Sequence, residues 1–297
     1  MRNASALSRL AAPMIALGIL VAGCGQTPPT RTGDDGATSL GGLYGQTVPA
    51  PGGAPGEPMA AGSTGNRKLA QATPGSMPAG SIYRNPANGR NEVVVEDIAR
   101  TAVLIGDSQS EPTLSWPRTA LASLGYNVHF CGRGGTGFVT SNGETGNYID
   151  ALQRGDWLLP HGAPPLLVIE GGGNDASRGA TDQQISANAE LLIASVRQRY
   201  PEAWLARVGT LARGAAAGGG RRTEVDTLLG TVAARHSIPF VSVGDWLTRY
   251  NLTKSMADGV HMGPAGHAAL GVLLARRLDE FGLRAPAPGP AEPAANR

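Results

Sequence analysis

Five short apolar runs are spaced along the middle and later part of the chain. They are rich in Val, Ile and Leu and mostly apolar, without a regular alternation of polar residues, which is typical of strands that are buried on both faces of a sheet. The runs lie at 101–105, 127–130, 166–169, 204–209 and 239–243.

The segments between these runs carry helix signals. Thr181 and Gln184 have the spacing of a capping box, in which the side chain of each residue accepts a hydrogen bond from the backbone N–H of the other. Buried strands that alternate with helices predict a mostly parallel sheet of about five strands in a three-layer α/β/α sandwich. The predicted helices begin near Ser115 and cover 181–199, 223–235 and 264–281.

The first 23 residues have the pattern of an export signal. Arg2 and Arg9 give a basic start, and an apolar stretch runs from Leu10 to Leu20. Because a membrane-spanning helix needs about 20 apolar residues, this stretch is too short to span a bilayer. We therefore expect residues 1–23 to be removed as a signal peptide.

The end of this signal, "LVAGC" at Leu20–Cys24, resembles the bacterial lipobox. In that motif a signal peptidase cuts before the cysteine and a lipid is joined to its sulfur. The resemblance implies that Cys24 is the lipid attachment site of an extracytoplasmic protein, anchored to the membrane of the cell envelope. The alternative is an ordinary secretory signal with a chance cysteine.

Residues 24–92 have a different composition from the rest of the chain. They are dominated by Gly, Pro, Ala, Ser and Thr and contain few aliphatic side chains, so we predict a flexible tether that cannot bury enough apolar area to fold. The same composition predicts a disordered tail at 285–297. The predicted folded domain is 93–284, which is long enough to form one core.

Charge and cysteine content exclude some classes of protein. The formal charge is only +2, without any block of like charges, so we expect no nucleic-acid partner. The chain has two cysteines. If Cys24 carries a lipid, Cys131 has no partner for a disulfide, and its place at the end of an apolar run favours a small buried hydrophobic role.

The run "AVLIGDSQS", Ala102–Ser110, ends in a glycine, an acid and a serine. Gly-Asp-Ser is good turn chemistry, and a simple turn is one interpretation. The other is that the strand presents Ser108 as a nucleophile, which needs a histidine base that is oriented by an acid.

Among the five histidines, only His261 has a suitably spaced acid, Asp258, in "DGVHMGPAGH". Asp258 is expected to accept a hydrogen bond from one ring nitrogen and leave the other for the serine. The alternatives are a solvated Asp-Gly turn before a helix, or a metal site that also uses His267. Since no further ligand cluster accompanies these residues, we expect no metal.

Two glycine-rich segments follow other apolar runs. "VIEGGGND" carries Asn174, whose amide is suited to hold the negative oxygen that develops during acyl transfer, although an Asx turn is the alternative. "CGRGGTGF" fits G-x-G-x-x-G through Gly132, Gly134 and Gly137. In a dinucleotide fold the last glycine opens a helix, whereas the residues after Gly137 have loop composition, so we expect no such cofactor.

These four segments, "GDS", the glycine loop, "GGND" and "DGVH", resemble the four blocks of the SGNH, or GDSL, hydrolase superfamily, in the same order. The resemblance implies a flavodoxin-like α/β/α fold and a catalytic triad of Ser108, Asp258 and His261. It also implies an oxyanion hole made by the Ser108 N–H, a glycine N–H and the Asn174 side chain.

In the family, the glycine of this block often precedes a polar residue. The resemblance therefore points to Gly135, which precedes Thr136, with Gly134 as the alternative. Asp107 is expected to brace the turn without reacting. The chain departs from the family pattern at Cys131 and Gly132, where an asparagine is common.

The predicted function is that of a monomeric serine esterase or lipase that cleaves acyl esters in the cell envelope through an acyl-enzyme. The substrate is expected to be a small-molecule, glycan or lipid ester, and no cofactor is expected. One alternative is an envelope acyltransferase that uses the same triad to acylate a glycan. Another is a surface lipoprotein that binds ligands without catalysis.

Overall fold

A computed structural model of the protein describes residues 73–287. The predicted signal peptide, the lipid attachment at Cys24 and nearly all of the predicted tail lie outside the described residues. Within residues 73–287, no helix is both long and apolar enough to cross a bilayer.

The centre of the fold is a five-stranded sheet in which all neighbouring strands are parallel. The strand order is β4-β3-β5-β6-β7. Each of the five predicted apolar runs supplies one strand, and only the last is much shorter than predicted. The strands are β3 (Thr101–Gly106), β4 (Asn127–Gly132), β5 (Leu166–Glu170), β6 (Trp204–Val208) and β7 (Phe240–Val241).

Seven α-helices connect or follow the described strands. The capping box at Thr181 and Gln184 is present at the start of α4, as predicted. The helices are α1 (Trp116–Ser123), α2 (Tyr148–Arg154), α3 (Gly173–Ser177), α4 (Asp182–Arg199), α5 (Gly220–Arg235), α6 (Trp246–Arg249) and α7 (Pro264–Glu280).

The helices cover both faces of the sheet. Val103 and Ile105 of β3 point into a core with α2, α4 and α5, and the alternating Ala102 and Leu104 point into a second core with α1, α6 and α7. This alternation follows from the two-residue period of a strand. The predicted three-layer α/β/α sandwich is therefore confirmed.

The short helices α2, α3 and α6 were not predicted from the sequence. They have only seven, five and four residues, so each gives too few turns for a helical repeat of apolar positions. The Asn147 side chain caps α2 by accepting from the Asp150 N–H.

The folded part begins earlier than the predicted boundary at residue 93. An antiparallel hairpin forms from β1 (Ile82–Arg84) and β2 (Asn91–Val93), inside the segment predicted as a flexible tether. Glu92 is only 1% exposed, and its carboxylate accepts hydrogen bonds from Asn85 and Asn88 and contacts His161 and Arg199. These long-range polar contacts order a segment that has little apolar content.

A buried guanidinium lies in the core between the sheet and α2. Arg207 of β6 is fully buried, and its Cζ lies 4.8 Å from the centre of the Phe138 ring. Its three guanidinium nitrogens have no hydrogen-bond partner among residues 73–287. Burial lowers the pKa of Arg207 to about 9, because the charged form loses its hydration.

We predict that Arg207→Met raises the free energy of unfolding by about 1–4 kcal/mol, since methionine fills similar space without a desolvated charge. Urea titration of both proteins at neutral pH measures the difference. The conservative Arg207→Lys variant, which keeps a buried charge, is the control and should not be stabilised. A less stable methionine variant would contradict this interpretation of Arg207.

Candidate active site

Ser108 lies in a tight turn at the carboxyl end of β3. The Asp107 carbonyl accepts from the N–H groups of Ser110 and Glu111 at 3.0 and 2.9 Å, and this closes the turn. Gly106 permits the close return of the chain, because a Cβ there would lie 2.5 Å from Ser110 Oγ. Strand β3 therefore delivers a partly buried Ser108 hydroxyl to the edge of the sheet where the parallel strands end.

His261 reaches this hydroxyl from a loop before α7. Its Nε2 lies 3.0 Å from Ser108 Oγ, although the two residues are 153 positions apart in the chain. Its Nδ1 lies 2.9 Å from Asp258 Oδ2. An ionised carboxylate only accepts hydrogen bonds, so Nδ1 carries the ring proton of the neutral imidazole. Nε2 is then free to accept the proton of Ser108.

Asp258 is held by its own loop. Its Oδ1 accepts from the backbone N–H groups of Val260 and His261, each at 2.6 Å. The backbone and side-chain hydrogen bonds from His261, followed by the bond from Val260, hold the pKa of Asp258 well below its usual range. The carboxylate therefore stays ionised at neutral pH, although its side chain is 56% exposed.

Gln109 connects the Ser108 turn to the His261 loop. Its Nε2 donates to the Val260 carbonyl at 2.9 Å, and its Oε1 accepts from Trp116 Nε1 at 3.3 Å. Gln109 is buried, so this bridge is shielded from water. Gln109 was not predicted as a site residue, because a glutamine after a serine gives no signal of a partner 151 positions away.

The glycine loop after β4 lies beside Ser108. A Cβ on Gly134 would lie 3.4 Å from Ser108 Cβ, which shows how closely the two segments approach. The Gly134 N–H donates to Glu111 Oε2 at 2.9 Å. By contrast, the N–H groups of Gly135 and Ser108 have no acceptor within the described part of the chain. The backbone of Gly135, with φ +78°, is therefore better suited to donate to a ligand than that of Gly134.

Asn174 is the second residue of α3, the helix that follows β5, and its side chain reaches both the glycine loop and the Ser108 turn. Its Nδ2 donates to the Thr136 carbonyl at 2.8 Å and to Asp107 Oδ2 at 3.2 Å. The side chain thus joins the glycine loop to the Ser108 turn. Donation to a bound oxyanion requires one amide hydrogen to turn from its acceptor, and the longer contact with Asp107 is the weaker of the two.

Asp175 fixes the glycine loop and was not predicted. Its buried carboxylate accepts the backbone N–H groups of Phe138, Val139 and Thr140 at 2.8–2.9 Å. A Cβ on Gly137 would lie 2.5 Å from this carboxylate, which explains the glycine there. Gly137 does not open a helix, so the G-x-G-x-x-G spacing has a local packing cause. An acid next to Asn174 at the end of a strand was the available signal.

Two further carboxyl groups are buried under Ser108. Glu170 accepts from Ser110 Oγ at 2.7 Å, and burial raises its pKa well above the usual range. Asp107 accepts from the Gln109 N–H at 2.9 Å, and burial raises its pKa to about 6. Both carboxyl groups hold backbone and hydroxyl groups of the turn. This bracing role was predicted for Asp107 from the sequence, whereas Glu170 was not predicted.

Two other residues considered in the sequence, His267 and Cys131, have packing or hydrogen-bonding roles in the fold. The backbone N–H of Trp116 donates to His267 Nδ1 at 3.2 Å, so this ring is occupied away from Ser108. Cys131 is fully buried, and burial raises its pKa far above the usual range. Among residues 73–287, no group of three or more His, Cys, Asp or Glu side chains is arranged to hold a metal ion.

Comparison with solved structures finds similar folds at low sequence identity. A lipase/acylhydrolase from Enterococcus faecalis is 22% identical over 61% of this chain and 96% of its own, with a TM-score of 0.48. A family two carbohydrate esterase from Clostridium thermocellum is 17% identical over 65% and 68%, with a TM-score of 0.48. An aryl esterase from M. smegmatis is 19% identical over 61% and 99%, with a TM-score of 0.45. A search of curated protein sequences gives no match.

A comparison with protein families is more informative. The model of the GDSL-like Lipase/Acylhydrolase family matches residues 101–269, which run from the first strand of the central sheet into α7 and include Ser108, Asn174 and His261. This match covers more than half of the chain. The chain therefore belongs to the GDSL-like lipase/acylhydrolase family and is an SGNH-type ester hydrolase.

Proposed function

We propose that the protein is a serine esterase that cleaves acyl esters through an acyl-enzyme on Ser108. The observation that best supports this activity is the hydrogen-bonded series from Ser108 through His261 to Asp258, with contacts of 3.0 and 2.9 Å. A hydroxyl becomes a useful nucleophile when an oriented base takes its proton.

In the first half of the reaction, Ser108 Oγ attacks the ester carbonyl carbon while His261 Nε2 accepts the hydroxyl proton. The imidazolium that forms is stabilised by the ionised Asp258. The tetrahedral intermediate then collapses, the bond to the alcohol breaks, and His261 returns the proton to the leaving alcohol. The acyl group remains on Ser108.

In the second half, water attacks the acyl-enzyme with His261 again as the base. The tetrahedral intermediate releases the carboxylic acid, and the proton returns to Ser108. Both halves use groups of this chain, and the second half also uses one water molecule. Transfer to a sugar hydroxyl instead of water would require only that an alcohol take the place of that water.

The oxyanion of both intermediates is proposed to lie between the N–H groups of Ser108 and Gly135 and the Asn174 amide. The two backbone donors have no acceptor within residues 73–287, and the amide donates to Asp107 and to the Thr136 carbonyl. The backbone donors are fixed in place and stabilise the developing charge without reorganisation, whereas the amide first releases its longer bond to Asp107.

We further propose that this reaction takes place outside the cytoplasm, with the protein anchored through Cys24. The basic start, the apolar stretch and the "LVAGC" ending of the first 24 residues support this location.

Hydrolysis of p-nitrophenyl acetate, propionate and hexanoate by the purified protein tests the esterase activity. The expected result is release of nitrophenol together with stoichiometric free carboxylic acid. Product analysis in the presence of a glycan acceptor distinguishes water from sugar as the acyl acceptor. Absence of turnover, together with absence of labelling by a fluorophosphonate, would contradict the proposal and favour a non-catalytic binding protein.

We predict that Asn174→Ala lowers kcat by about 10²- to 10³-fold, because one oxyanion donor is lost. The KM should change little, since this interaction forms mainly in the transition state. Asn188→Ala is a matched control, because Asn188 also bridges to the glycine loop, through the Phe138 carbonyl, but from the buried side of α4. Equal losses in both variants would indicate that Asn174 only supports the loop.

A further inference from the structure

A small cavity lies directly beside the His261 loop. It has a volume of about 130 Å³, and its wall includes Gly259 and Val260, the two residues before His261. The apolar part of the wall includes Leu247 and Met256. A group bound here would therefore lie next to the loop that carries His261. Another cavity, of about 450 Å³, lies beside β7, and neither cavity is lined by Ser108, Asp258 or His261 themselves.

The charged part of the wall consists of Arg213 and Arg222, and no carboxylate lines this cavity. Arg213 is exposed, and Arg222 is partly buried at the start of α5. The nearby Asp245 is paired with Arg249. Within residues 73–287, neither Arg213 nor Arg222 forms an ion pair with a carboxylate. The wall of this cavity, beside the His261 loop, therefore carries positive charge.

Arg222 is held in a defined position. Its Nε donates to the Leu211 carbonyl at 3.2 Å. Its Nη2 lies against the backbone of Gly173, where an added Cβ would be only 2.5 Å away. Gly173 immediately precedes Asn174, so the guanidinium packs against the segment that carries the proposed oxyanion donor. An arginine fixed by its Nε still has its Nη groups available to bind a planar anion.

Two buried carboxyl groups near Arg222, those of Asp107 and Glu170, offset only part of the positive charge of the two arginines. Burial raises the pKa of Asp107 and of Glu170, while the charge of Arg222 lowers both. Asp107 and Glu170 are buried, and neither lines the cavity.

We propose that this cavity binds a carboxylate of the substrate, so that the preferred substrates are esters whose acyl or alcohol part is anionic. This inference rests on the proposed esterase function and names the substrate class for the same site. A cavity of this volume accommodates several water molecules and hence a carboxylate with a short stem.

The test uses two matched pairs of substrates. The first is the mono-p-nitrophenyl ester of glutaric acid and p-nitrophenyl pentanoate, which differ in the charge of the acyl part. The second is 4-acetoxybenzoate and phenyl acetate, which differ in the charge of the alcohol part. The measured quantity is the ratio of kcat/KM for the anionic ester to kcat/KM for the neutral ester. Intrinsic differences in ester reactivity cancel when this ratio is compared between variants.

For Arg213→Gln/Arg222→Gln, the ratio should fall by about tenfold or more for at least one pair, which corresponds to about 1.4 kcal/mol of lost binding free energy. Arg222→Lys, which keeps the charge without the planar fork, should give a smaller decrease. Raising the salt concentration should lower the ratio for the unmodified protein.

Arg235→Gln is the matched control. Arg235 is on the same helix, thirteen residues beyond Arg222 and so about 20 Å away, where it pairs with Glu190. Its ratio should equal that of the unmodified protein.

A ratio that changes less than about twofold in the double variant would overturn the proposed specificity, while hydrolysis of the neutral esters that depends on Ser108 would leave the esterase function intact. If the double variant does not fold, the same ratio of kcat/KM values is measured for Arg213→Gln alone. Arg213 is exposed and has no structural contact of the kind that Arg222 makes with the Leu211 carbonyl. Absence of hydrolysis of every ester, with no fluorophosphonate labelling, would overturn both proposals.

Discussion

Replacing Ser108 with alanine is expected to reduce ester hydrolysis by about 10⁴-fold or more. The variant keeps the His261–Asp258 contact and the backbone donors but has no nucleophile, so the acyl-enzyme cannot form. Initial rates with p-nitrophenyl acetate, corrected for spontaneous hydrolysis, measure the loss. Ser108 is only partly buried, and the substitution removes a single oxygen, so the thermal unfolding midpoint should change little.

Ser123→Ala is the matched control for this experiment. Ser123 is exposed at the end of α1, where its hydroxyl bonds to the Ala120 carbonyl of its own helix. This variant should retain full activity. Retention of more than about 1% of the activity by Ser108→Ala would mean that another group is the nucleophile.

Replacing Asp258 with asparagine is expected to lower kcat by about 10²- to 10⁴-fold at neutral pH. An amide in place of the carboxylate does not hold the Nδ1 proton of His261 and does not stabilise the imidazolium. The ring then has a larger population with the proton on Nε2, which prevents it from accepting the proton of Ser108. Because the Asp258 side chain is 56% exposed, water partly replaces it, and the lower end of this range remains compatible with the proposed role.

The control for Asp258→Asn is Asp279→Asn. Asp279 is likewise a solvent-exposed carboxylate that accepts a hydrogen bond from a side chain, here Arg284, but it lies at the end of α7. This control should hydrolyse esters at the unmodified rate. A loss smaller than about fivefold in Asp258→Asn would show that His261 is oriented by other groups.

The layout of the sheet was predictable because its strands are short, continuous segments that are mostly apolar. The runs that became β3 and β5 are buried on both faces, so their hydrophobicity alone identified them. The long helices α4 and α7 have local start signals, a capping box at Thr181 and a proline in the first turn at Pro264. Since parallel strands end at one edge, the candidate residues after β3 and β5 were expected to lie together.

The contacts that brace this edge were not predictable in the same way. Gln109, Glu170 and Asp175 each act on backbone or hydroxyl groups that are 35 or more positions away. No local pattern encodes such a partner, and the residue type alone does not distinguish a buried bridge from a solvated side chain. The β1–β2 hairpin was missed for the same reason, because the buried Glu92 network draws on His161 and Arg199.

The most direct measurement is to locate the site of covalent modification by a fluorophosphonate. The full-length protein is treated with the reagent, digested and analysed by peptide mass spectrometry. If Ser108 is the nucleophile, it will be the single phosphonylated residue, and esterase activity will be lost in proportion to the labelling. Stoichiometric labelling of a different serine, or full inactivation with Ser108 unmodified, would contradict it.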